Sequence, residues 1–75
     1  MNREHIEKIS NAIAMLGEIL FSETGRELVI SWGITEGGNE DSFTTGYWKS
    51  KGLSFHSACK ISSCACADLM NAYEE

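Results

Sequence analysis

The chain has 75 residues, 43% of them hydrophobic and 23% charged, with no proline. That length supports one domain, spanning 1–75, with a thin stability margin, because so small a domain buries only roughly 60% of its unfolded surface. The formal net charge of −5, from 11 acidic and 6 basic residues, repels phosphate backbones and disfavours general nucleic-acid binding, while the apolar content excludes wholesale disorder.

The first element carries the strongest periodicity. Ile6, Ile9, Ile13, Leu16 and Leu20 recur at three- and four-residue steps, widened by Ala12 and Ile19, which is the core-facing stripe of an amphipathic helix over about 3–22. Asn2 is the expected N-cap, Glu4 complements the positive end of the helix dipole, and Gly25 is placed to end the helix in the left-handed conformation.

From Leu28 the period changes to two. Leu28, Ile30, Trp32 and Ile34 alternate with Val29, Ser31 and Gly33, which predicts a half-buried strand over about 27–36. A second strand is expected over about 42–51, joined by a tight turn. With Gly38-Asn39 central in that turn, Ile34 faces Phe43, Trp32 faces Thr45 and Ile30 faces Tyr47 on one face. Val29 then meets Trp48, and Ser31 meets Gly46, on the other.

Ser54 reads as the N-cap of a last helix over about 54–73, whose stripe is Phe55, Ala58, Ile61, Ala65, Leu69 and Tyr73. The fold expected is α+β, helix-strand-strand-helix. An antiparallel β-hairpin is packed on one face by two amphipathic helices, and Trp48 is left on an open outer face. Two unpaired strand edges and that open face predict a homodimer built by edge-to-edge strand pairing.

Three cysteines cannot all pair within one chain, and no apolar run approaches the roughly 20 residues of a membrane span. The start, Met1-Asn2-Arg3-Glu4-His5, leads into an amphipathic pattern rather than a signal-peptide core. A soluble protein of the reducing cytoplasm, with free thiols, is the expectation.

Three clusters bear on chemistry. His56, Cys59, Cys64 and Cys66 offer four zinc-type ligands in a short span, and are the candidate metal or redox set. On one helix, however, Cys64 and Cys66 diverge by about 200°, at 100° per residue, so core or incidental cysteine is the expected reading and no metal or cofactor is implied. Trp48, Lys49, Lys51 and Lys60 form the nucleic-acid alternative, in which an aromatic stacks on bases and lysines neutralise phosphates. Glu36, Glu40 and Asp41 make an acidic turn that lacks the alternating oxygen ligands of a calcium loop. Rows of carboxylates present charge much as phosphates do, and with Trp48 as an exposed anchor they are the candidate partner-binding site. His5 and His56 belong to no nucleophile–base arrangement, and Gly37-Gly38 joins two strands rather than opening a helix. An enzyme is not expected.

Between Ser42 and Ala67 there is no carboxylate, whereas Lys49, Lys51 and Lys60 all fall there. These features predict a small acidic protein-protein interaction module, an inhibitor that occupies a basic, nucleic-acid-handling surface of another protein. In size and charge it is similar to phage-encoded inhibitors of host defence systems, a likeness of totals carried by no motif.

Overall fold

A computed structural model describes residues 3–74 and contains α1 (Arg3–Thr24), β1 (Val29–Glu36), β2 (Asn39–Lys49) and α2 (Phe55–Glu74). The class is the expected one: helix, antiparallel two-stranded hairpin, helix, with the hairpin touching both helices. The Asn2 cap lies outside the described residues. No helix among them is long and apolar enough to cross a membrane.

The helix ends follow local chemistry. α1 stops where Gly25 takes φ 65°, and its N–H donates to the Phe21 carbonyl at 2.8 Å, the left-handed ending that only glycine adopts freely. α2 starts on Ser54, whose hydroxyl accepts the Ser57 N–H at 3.1 Å and so satisfies one of the orphan donors of the first turn.

The hairpin departs from the expected register by one residue. Ile30 pairs with Trp48, Trp32 with Gly46 and Ile34 with Thr44, while Ser31 pairs with Tyr47 and Thr35 with Phe43. The tight turn is Gly37-Gly38, with Gly37 at φ 60°. Positive φ at the first central position is the requirement of a primed hairpin turn, and glycine meets it without strain. Asn39 instead accepts the Asp41 N–H on its side-chain oxygen at 2.9 Å. Glu36 pairs with Asn39 but Thr35 with Phe43, so Glu40, Asp41 and Ser42 have no counterparts on β1. Because side chains alternate, this shift moves every residue of β2 to the other face.

The corrected register has a packing reason. A methyl group at Gly46 would overlap the Trp32 indole, and one at Gly17 would overlap the Trp48 indole. Each tryptophan lies on a residue with no side chain, one across the strand pair and one on α1. Trp48 is therefore half-buried under α1 and not on an open face as expected. Ile6, Ile9, Ile13 and Ala14 are the half-buried positions of the helix, and Gly17 is buried.

The helices also do not share a face. α1 meets Trp48, whereas α2 meets the alternate positions. The Ser31 and Ser62 hydroxyls are 3.0 Å apart, and the Tyr47 and Phe55 rings meet edge to face at 6.0 Å between centroids. The hairpin is a middle layer with one helix on each side, in place of a single face covered twice. Two separate thin cores result. Among the described residues Ala58 is the one buried apolar residue, and no side chain is less than 2% exposed. Leu16 and Leu20, expected in the core, are exposed, since α1 turns its Gly17 side to the indole.

One polar knot closes the open end of the hairpin. The Ser50 hydroxyl accepts the Leu28 N–H at 3.0 Å and donates to the Glu27 carboxylate, and the Ser50 N–H returns to the Leu28 carbonyl at 3.1 Å. Ser50 is 4% exposed, and Ser50→Ala removes the partner of the half-buried Leu28 N–H and of the Glu27 carboxylate. The expected loss is about 1–3 kcal/mol of unfolding free energy in urea titration; a loss below about 0.5 kcal/mol would show that the hydroxyl has no such role.

Candidate functional site

The tip of the hairpin gathers the acidic turn. Glu40 and Asp41 are exposed on the unmatched stretch of β2, where no partner strand crowds them. Glu36 is held from the side by Thr44, whose hydroxyl donates to Glu36 Oε1 at 2.9 Å. Beside them Phe43 is 63% exposed. The register puts it opposite Thr35, on the face away from Trp48. The tip therefore carries Glu40 and Asp41 next to an open aromatic ring in the chain, with Glu36 turned to the other face, where it meets Thr44.

The basic groups sit at the other end. Lys49 pairs with Val29 at the base of the hairpin, which is roughly 20 Å from Phe43 at about 3.3 Å per strand residue. Its ammonium lies 4.7 Å from the Phe55 ring centroid and donates to the Ser50 carbonyl at 3.4 Å. It is thus engaged with its own chain through a cation–π contact. Lys51 follows in the next turn and Lys60 lies on α2, both exposed. The acidic turn lies at the tip, whereas at the base Lys49 and Lys51 share their surroundings with Glu27, which accepts the Ser50 hydroxyl.

Of the expected site residues, Glu36, Glu40 and Asp41 all fall at the hairpin tip, whereas Trp48 is half-buried under α1. The nucleic-acid alternative is dispersed. Trp48 lies under α1, its neighbour Lys49 points to the α2 side, and Lys60 is on that helix. His56, Cys59, Cys64 and Cys66 all fall within the continuous helix α2, where 100° per residue spreads them around the axis. All three cysteines are exposed free thiols. Among the described residues no group of three His, Cys, Asp or Glu side chains is placed to hold one metal ion.

Sequence reasoning missed Phe43, assigning it to the core face. A signal for it was present. The register that sets Trp32 against Gly46 gives the bulkiest ring the one cross-strand neighbour without a side chain, and that register turns Phe43 outward. Compared with family models, with curated proteins and with solved structures, the chain matches none.

Proposed function

We propose that this chain is a small acidic protein-protein interaction module, and that its hairpin tip engages a basic, nucleic-acid-handling surface of another protein and blocks it. The observation that carries the reading is the acid at the hairpin tip: Glu36, Glu40 and Asp41 lie there with exposed Phe43, and the strand lysine, Lys49, is at the opposite end. An array of carboxylates offers a nucleic-acid-binding surface the charge it is built to receive. The ring supplies what charge alone does not, because desolvated aromatic anchors hold a complex together after encounter.

The test is capture from host extract by the immobilised wild-type protein and by a tip variant, Glu36→Gln with Glu40→Gln and Asp41→Asn. Proteins retained by wild type and lost by the variant should be basic nucleic-acid-handling proteins, and added nucleic acid should compete with their capture. If the two surfaces retain the same set, the reading fails. If nucleic acid itself is retained, and Lys49→Ala with Lys51→Ala abolishes that, the basic end is the functional one.

Phe43→Ala gives an independent check. A ring this exposed contributes little to the fold, so the melting temperature should stay within about 2 °C. Dissociation from a captured partner should speed by roughly tenfold or more, with association little changed. Surface plasmon resonance separates the two rates; an unchanged dissociation rate would remove Phe43 from the interface.

A further inference from the structure

The chain by itself is too open for its size. Its accessible surface is 6054 Å², where a folded protein of 8.3 kDa should expose about 4,600 Å². Its radius of gyration is 13.9 Å, against about 11 Å for a compact chain of this length. About 1,500 Å² that folding normally buries is left uncovered. Large apolar side chains are left exposed on α1, among them Met15, Ile19 and Phe21, on the hairpin at Phe43 and Tyr47, and on α2.

The longest unbroken run of exposed residues lies on α2. From Ser63 onward every described residue of the helix is exposed. That half of α2 is about 18 Å long at 1.5 Å per residue. A helical segment this short is marginal in water without a surface to pack on. It nevertheless keeps the apolar period: Ile61, Ala65, Leu69 and Tyr73 continue the line from buried Ala58, with Leu69 74% and Tyr73 88% exposed. No charged residue interrupts that line. Alongside it runs a groove of about 380 Å³ between α2 and β1, walled by Val29, Ile30, Ile61, Ala65 and Leu69.

We infer that this face is covered by a second copy of the chain, the α2 stripes and grooves of two protomers packing on each other across a two-fold axis. The area fits. If each protomer buries about half of its surplus on this face, the interface totals about 1,500 Å², the standard size of a stable protein–protein interface. A two-fold contact is self-complementary, so one exposed stripe completes both protomers. The contact differs from pairing of strand edges, because it uses the helix that the hairpin leaves half uncovered. It leaves the acidic tip free on each protomer and does not depend on what that tip binds.

Sedimentation equilibrium at micromolar concentration tests it. The expected mass is twice 8.3 kDa, and an 8.3 kDa species that keeps its helical signal overturns the inference. Leu69→Asp with Tyr73→Asp changes two side chains that the lone chain leaves 74% and 88% exposed, at a cost in helix propensity and at the negative helix end that is small beside a lost interface. The variant should lose the dimer, whether it remains a folded monomer or unfolds; a dimer of undiminished affinity overturns the α2 face. Hydrogen exchange on the unmodified protein needs no variant. Amides 63–74 should be protected at micromolar concentration and lose that protection on dilution below the dissociation constant. Equal exchange at both concentrations, with sedimentation showing the assembly to have dissociated, overturns the proposal.

Discussion

Gly17→Leu should destabilise the fold by about 2–3 kcal/mol, lowering the melting temperature by roughly 8–24 °C at fixed protein concentration. The Trp48 indole occupies the space where even a methyl group on Gly17 would sit. A leucine there forces α1 off the hairpin or turns the ring out of its layer, and inserted methylenes of this kind cost about 1–3 kcal/mol or more. The helix gains up to about 1 kcal/mol of propensity in return, which does not offset displacing a whole indole. Gly33→Ala is the internal control. The nearest atom to the added methyl is Thr45 Cγ2 at 3.5 Å, an ordinary contact, and replacing a strand glycine relieves roughly 0.5 kcal/mol of backbone entropy cost. Thermal melts followed by circular dichroism should therefore move in opposite directions for the two glycines. Trp48→Ala in the Gly17→Leu background should recover part of the loss, since the two residues share one space. If the two single variants melt alike, Gly17 and Trp48 do not pack as described.

That pair marks where the sequence was legible and where it was not. The helices and strands follow from periodicity, and the ends at Gly25 and Ser54 from capping chemistry, because these are decided within a few residues. The stripe of α2 was also readable: Ala58, Ile61, Ala65 and Leu69 do line one side. Exposure of that stripe was not readable, because periodicity reports that a face is apolar without reporting what covers it. The register failed for a local reason. Gly37-Gly38 and Gly38-Asn39 both suit a tight turn; a turn on the first pair alone moves the pairing by two residues, and the three unmatched residues of β2 then carry it past the expected register by one. The three unmatched residues Glu40, Asp41 and Ser42 carry no apolar alternation that would have exposed the error. The mistake propagated to function, since it exchanged Trp48 for Phe43 on the accessible surface. It also led to both helices being placed on one face, whereas Tyr47 and Ser31 on the opposite face provide α2 with its seat. Glu36, Glu40 and Asp41 stay at the hairpin tip in either register, because all three lie within a few residues of the turn.

The second large effect concerns the tip. Glu36→Gln with Glu40→Gln and Asp41→Asn preserves size and keeps a side-chain oxygen at position 36 to accept the Thr44 hydroxyl. Stability should therefore stay within about 0.5 kcal/mol of wild type. Net charge rises from −5 by three units, all at one end of the molecule. Association with a basic partner should slow by about tenfold at low salt, while dissociation changes less, because peripheral charge acts mainly on encounter. The wild-type association rate should fall with added salt as the Debye length shrinks to about 8 Å near physiological ionic strength, and the variant's should hardly respond. Stopped-flow or surface plasmon resonance at two salt concentrations reads both effects; parallel salt dependences would show that the carboxylates do not steer binding.

The most direct measurement is displacement. A partner recovered by wild-type capture is loaded with fluorescently labelled nucleic acid, and the wild-type chain and the tip variant are titrated in while anisotropy is followed. Blocking of a nucleic-acid surface by the tip requires wild type to release the label, and the variant to need roughly tenfold more protein to do so. Release at equal concentrations by both proteins, or nucleic acid that stays bound while the chain binds elsewhere, would contradict it.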